Sequence, residues 1–273
     1  MNNRFKIGVV LAGHGSRNKK AISQFQEMAA LVFQSQDQIG EFGFLESASP
    51  SIAEAIARAI AKGATAIVVL PALLNAAHHV KIDIPIIIQA AKQQYPAIPI
   101  LYGRPLDLHP KISALYQLRI REALLEDPAV NAKETALIIV GRGTSDSTAN
   151  ENVLKLKQMM QKELNFETIL HGYTSIAKPL LPEVLHALPH RTILIAPYLL
   201  FEGVLAGKIA SVAQSFRENN RDRRLIVART LGSHALARDA FLDRLREAVG
   251  LLGHLLENEE NANPHEEKGK DTT

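Results

Sequence analysis

The chain has 273 residues, 47% hydrophobic and 22% charged, which fits a soluble globular protein of one large or two medium domains. It has no cysteine, which excludes disulfides, thiolate metal sites and iron–sulfur clusters. The net charge of +3 and pI near 9.0 come without a Lys/Arg block and with 5% aromatics, which argues against nucleic acid and suits an acidic small molecule.

In chain order, near-continuous apolar runs predict strands over 5–12, 40–46, 65–70 and 98–103, each buried on both faces. A helix over about 17–34 places Ile22, Phe25, Ala29 and Val32 on one face. The next is expected to start with Ser49 as N-cap and Pro50 in first position and to stop at Gly63. A third opens at "DIP", with Asp83 capping and Pro85 in the first turn. No run reaches the roughly 18 uncharged apolar residues of a membrane span. "MNNRFKIGVV" lacks a signal-peptide pattern, so no membrane and a cytoplasmic location are expected. The polar stretch 255–273, which lacks apolar periodicity, is expected to be disordered.

The second half repeats the first. "GVVLAGHGS" (8–16) is answered by "ALIIVGRGT" (136–144), and "PSIAEAI" (50–56) by "PLLPEVL" (179–185). "VVLPALL" (68–74) is answered by "LIAPYLL" (194–200), and the segment 104–124 by 229–249. The order is kept and the offset stays near 127 residues, so one unit is duplicated with its join at 127–134. Strand–helix alternation with short connections predicts an α/β fold of two similar domains, 1–127 and 134–254. Each is a parallel four-stranded sheet with helices on both faces, and a cleft lies between them.

Ligands of open parallel sheets bind at the carboxyl ends of the strands. His14 in "LAGHGS" ends the first strand, between glycines that let the chain turn sharply and a ligand approach. Glu46 ends the second, and the adjacent His78 and His79 lie just beyond the third. Imidazole, carboxylate and imidazole at one edge form a ligand set for a divalent transition metal. The second copy has Arg142 for His14, Ser175 for Glu46 and Leu205 for His79. Each residue alone has an ordinary reading: a polar loop histidine, or a carboxylate suited to the N-terminus of the next helix. His109 and His234 recur in both copies and read as helix-start residues, and Met159 and Met160 as helix filling.

Together, "LAGHGSRNKKA", "FLESASPSIAEAI", "VVLPALLNAAHHVKIDIP", "RPLDLHP", "VGRGTSD", "YTSIAKPLLPEVL" and "APYLLFEGVLAGKI" resemble the sirohydrochlorin chelatases, class II and ATP-independent, in their two-repeat long form. The resemblance implies a bilobal fold holding the tetrapyrrole sirohydrochlorin between the lobes. It implies metal-handling histidines at His14 and His79, with His78 a neighbour, and an acidic partner at Glu46. It further implies insertion of Co²⁺ or Fe²⁺ in cobalamin or siroheme biosynthesis, without ATP; no G-x-x-x-x-G-K-[ST] loop is present. A substrate rimmed by carboxylates calls for basic residues, for which Arg17, Lys81, Arg104, Arg142 and Lys208 are the candidates. The duplication supplies both lobes in one chain, so a monomer is expected. A non-catalytic tetrapyrrole or metal carrier has the same sequence signature. A metal-dependent hydrolase and a dinucleotide loop are opposed by missing motifs, as neither G-x-S-x-G, H-E-x-x-H nor G-x-G-x-x-G is completed.

Overall fold

The apolar runs of the first half fold as β1 (Ile7–Gly13), β2 (Ile39–Phe44), β3 (Ala66–Pro71) and β4 (Ile100–Tyr102). Those of the second fold as β5 (Thr135–Gly141), β6 (Thr168–Tyr173), β7 (Thr192–Pro197) and β8 (Arg224–Val227). The structure, a computed structural model, describes residues 6–34, 38–74, 79–127 and 130–262, with the side chains of 79, 80 and 254–262 outside the description. All strand pairs are parallel, in the orders β2-β1-β3-β4 and β6-β5-β7-β8. The helices are α1 (Lys19–Phe33), α2 (Ile52–Ala61), α3 (Ile84–Gln94) and α4 (Pro110–Leu125), then α5 (Ser147–Glu163), α6 (Leu181–Ala187), α7 (Val204–Asn219) and α8 (Ala235–Ala262). The α/β duplication expected from the sequence is therefore the observed architecture.

Three local expectations are corrected. Helix α2 is capped by Ser51, not Ser49. The Ser51 hydroxyl accepts from Glu54 N (3.2 Å) while Ser51 N donates to the Glu54 carboxylate (2.6 Å), a reciprocal box that outcompetes the upstream serine. The Ser49–Pro50 bond is cis and stays in the loop, as does its counterpart Lys178–Pro179. Asp83 does not cap α3. Residues His79–Asp83 form a π-helical stretch that runs straight into α3, so Asp83 has helical dihedrals and makes no side-chain cap bond. Helix α8 continues to Ala262, inside the stretch expected to be disordered, because the Leu, Glu and Ala content of residues 255–262 prolongs a helix already started on the core. Residues 263–273 lie outside the described residues.

Alternation along the buried strands sends side chains to two different cores. In the first half Val10, Ala12, Ile67 and Val69 point outward and pack under α2 and α3. In the second, Ala136, Ile138, Val140, Ile193 and Ile195 pack under α6 and α7. The opposite faces, with Val9, Leu11, Val68 and Leu70 from one sheet and Leu137, Ile139, Leu194 and Ala196 from the other, join a single shared core. The two halves are thus not cored independently, although their composition allows it.

Helix α8, from the second half, packs on α1, α4, β3 and β4 of the first. Arg244 on α8 donates to the Pro105 and Leu106 carbonyls of the first half, and its repeat equivalent Arg119 on α4 donates to the Leu231 carbonyl of the second. Tyr116 on α4 is fully buried and donates to the Ala196 carbonyl of β7 at 2.7 Å. A hydroxyl at that depth would cost about 1–3 kcal/mol without its acceptor. These crossed ties fix the orientation of one strand-end surface against the other.

Candidate active site

Because β1 lies between β2 and β3, the loops that follow these three strands are neighbours at one end of the sheet. Leu45 N donates to the Gly13 carbonyl (2.9 Å) and Glu46 N to the His14 carbonyl (3.0 Å), so the ladder continues past the strands. This brings His14 Nδ1 to 3.6 Å from Glu46 Oε1. The imidazole is mostly enclosed, with 26% of its side-chain surface exposed, and the carboxylate is open at 57%. Gly15 makes the approach possible. Its φ is +92°, and a Cβ there would stand 1.7 Å from the Glu46 carbonyl oxygen.

The second sheet repeats the same frame with other chemistry. Thr174 N donates to the Gly141 carbonyl and Ser175 N to the Arg142 carbonyl, and Gly143, at φ +78°, would place a Cβ 1.9 Å from the Ser175 oxygen. The hydroxyls of Thr174 and Ser175 also donate to the Arg142 carbonyl, at 2.7 and 3.2 Å. The equivalence of Arg142 with His14 and of Ser175 with Glu46, read from the repeat, therefore holds atom by atom in the backbone. Leu205 packs against the outer core of the second half.

The π-helical stretch begins at His79, beyond β3, on the same end of the sheet as His14 and Glu46. The His79 side chain and all of His78 lie outside the described residues. Among the described residues no group of three His, Asp or Glu side chains is gathered closely enough to hold a metal ion. His14 and Glu46 are the part of the expected set that the structure brings together.

Of the basic candidates, Arg17, Arg104, Arg142 and Lys208 are exposed, three of them in loops after strands and Lys208 near the start of α7. Lys81 is placed differently from the expectation. Its ammonium is committed to Asp146, 2.8 Å away at the N-cap of α5, which ties the π-helical stretch of one half to the first helix of the other. The Lys81 ammonium holds the Asp146 carboxyl below its ordinary pKa. The sequence reading missed Asp146. Its signal was an N-cap position, which says nothing of a partner 65 residues away.

His109 and His234 are helix-start residues, as their recurrence suggested. Each Nδ1 accepts from the backbone N–H two residues on, at 3.2 Å from Lys111 and 3.1 Å from Leu236. With Nδ1 accepting, the His109 proton sits on Nε2, which faces the Asp243 carboxylate at 3.4 Å. Burial, more than any neighbouring charge, lowers the pKa of both rings.

Residues 8–123 and 136–248 match the CbiX family, one match to each half. A sirohydrochlorin cobaltochelatase of Priestia megaterium is 29% identical over 94% of this chain and 84% of its own length. A sirohydrochlorin ferrochelatase of Bacillus subtilis is 30% identical over 89% of this chain and 92% of its own. Among solved structures, SirB from Bacillus subtilis with Fe3+ superposes with a TM-score of 0.79 at 29% identity, covering 91% of this chain and 98% of that one. The SirB chelatase in complex with cobalt, from Bacillus subtilis subspecies spizizenii, gives 0.73 at 30%, covering 89% and 95%. Matched in both halves, and similar to these chelatases over nearly its whole length, the chain belongs to the CbiX family.

Proposed function

We propose that this chain is a sirohydrochlorin chelatase that inserts Co²⁺ or Fe²⁺ into the tetrapyrrole without ATP. The observation that carries the reading is the asymmetry of the two strand ends. One backbone frame holds an imidazole beside a carboxylate in the first half, and in the second an exposed arginine whose backbone carbonyl accepts from two hydroxyls. Relatives named as cobaltochelatase and ferrochelatase, at similar identity, support the reaction and leave the metal open. Imidazole and carboxylate ligands accept both ions.

Metallation delivers M²⁺ to the ring and releases two pyrrole protons. His14, beside Glu46 and with His79 on the neighbouring segment, holds the incoming ion through its one unprotonated ring nitrogen, and that nitrogen is free to accept a pyrrole proton once the ion has passed to the ring. Glu46 balances charge beside it and passes protons toward solvent, to which it is open. The Arg142 guanidinium has no acceptor nitrogen for a proton and, as a cation, repels an arriving metal ion. It therefore anchors a carboxylate of the substrate rim, with Arg17, Arg104 and Lys208 as further partners. Lys81 links the halves through Asp146. No helix among the described residues is long and apolar enough to cross a membrane, and a monomeric cytoplasmic enzyme fits the single-chain duplication.

The test is anaerobic incubation of purified protein with excess sirohydrochlorin and each metal in turn, without nucleotide, followed by absorbance. Many turnovers per chain are expected. Conversion that stops at one equivalent would make the protein a carrier.

A further inference from the structure

Residue 176 of the second half is an isoleucine placed where a folded chain gains nothing from one. It sits at φ +61°, and Ala177 N donates across it to the Ser175 carbonyl at 2.7 Å, closing a three-residue γ-turn with a left-handed centre. Turns of this hand are rare, and a β-branched side chain is poorly suited to a positive φ. The side chain is also 69% exposed, so it contributes little to any core. The equivalent residue of the first half, Ser47 at φ +58°, meets the same backbone requirement with a small polar side chain. Fold alone therefore does not account for Ile176, and an outlier of this kind at a strand end points to function.

The neighbours of Ile176 indicate its ligand. It follows Ser175, whose amide and hydroxyl hold the Arg142 carbonyl. In the sheet β5 lies between β6 and β7, so the Arg142 loop is flanked on one side by the Ile176 loop and on the other by the chain leading to Val204. Val204 is a second exposed aliphatic residue, 61% accessible at the start of α7. Just before it, Glu202 is bound by Gln24 and Lys20 of the first half, so this rim borders the first half. Exposed aliphatic residues on the segments either side of an exposed arginine match a flat apolar ring with carboxylates on its edge.

We propose that Ile176, with Val204, forms the surface on which the face of the tetrapyrrole packs while Arg142 holds a peripheral carboxylate. This rests on the chelatase reading above and adds a binding residue to it.

The test is an anaerobic titration of metal-free sirohydrochlorin into the full chain, with melting measured in parallel. Ile176→Asn is expected to weaken binding roughly tenfold, as loss of one buried aliphatic side chain would. Its melting temperature should be unchanged or higher, because asparagine tolerates a left-handed φ. Ile176→Val should retain most of the affinity, and Val204→Ser should lose part of it. Wild-type affinity in both Ile176→Asn and Val204→Ser overturns the proposal, as does a loss that comes with a lowered melting temperature. If the wild-type chain binds no sirohydrochlorin, the chelatase reading falls with it. If the wild type binds and both variants bind equally, only this inference falls.

Discussion

Replacing Gly15 by alanine should uncouple the His14 loop from the Glu46 loop. Two costs add. At φ +92° a Cβ meets its own backbone, at about 1–2 kcal/mol. The same Cβ would stand 1.7 Å from the Glu46 carbonyl oxygen, where ordinary contact begins at 3.4 Å, so the two loops must part by the difference, about 1.7 Å. Forced repacking of this kind costs about 1–3 kcal/mol. The sum, roughly 2–5 kcal/mol, corresponds to a melting point lower by on the order of 10 °C in a chain of this size. Glu46 would move away from its present 3.6 Å from His14, so the metallation rate should fall as well. Calorimetry and an anaerobic chelation assay read the two effects. Gly143→Ala, at 1.9 Å from the Ser175 oxygen, should cost as much stability but act on tetrapyrrole affinity. Gly207→Ala, in α7 with open space around it, should gain about 0.5–1 kcal/mol and serves as the control. Wild-type melting and rate in Gly15→Ala would refute the close-approach argument.

Further outcomes are expected. His14→Ala and His79→Ala should each abolish most metallation at near-wild-type stability, and His78→Ala should do less; wild-type chelation rates in the first two would sink the site assignment. Arg142→Ala should weaken sirohydrochlorin binding about ten- to hundredfold, as loss of a charged contact worth about 1.5–3 kcal/mol implies, with metal dependence little changed; a raised metal requirement at unaltered affinity would contradict it. Burial lowers the folded pKa of His109, His171 and His234, so below about pH 6.5 the unfolded chain binds more protons than the folded one. Their contribution is complete above that pH and is lost as pH falls through the folded values, so melting temperature should decline from pH 7 to 5. His109→Asn, which keeps a cap acceptor, should flatten that decline, and a wild-type melting point constant across the window would count against it.

The architecture was legible because each strand is a near-continuous apolar run and the repeat supplies every element twice. The first-half candidates stand out for a related reason. Comparing equivalent positions showed His14 and Glu46 departing from Arg142 and Ser175, a contrast no single motif carries. What stayed hidden was set by competition or distance. Ser51 outcompetes Ser49 because only Ser51 has a glutamate three residues on, which lets it close a capping box that the Ser49–Pro50 pair cannot. The π-helical start at His79 has no periodicity of its own over five residues. The shared core and the Lys81–Asp146 tie depend on how two sheets face each other, which a strand's own alternation does not specify.

The two halves divide the labour: metal chemistry sits at the strand ends of the first, and the strand ends of the second serve macrocycle binding alone. The most direct test is anomalous diffraction from crystals of the full chain soaked with Co²⁺. A cobalt peak is expected within coordination distance, about 2.0–2.2 Å, of a His14 ring nitrogen, near Glu46 and the segment that begins at His79, and none beside Arg142. A peak at Arg142 and Ser175, or one in the first half that leaves His14 without cobalt, would contradict it.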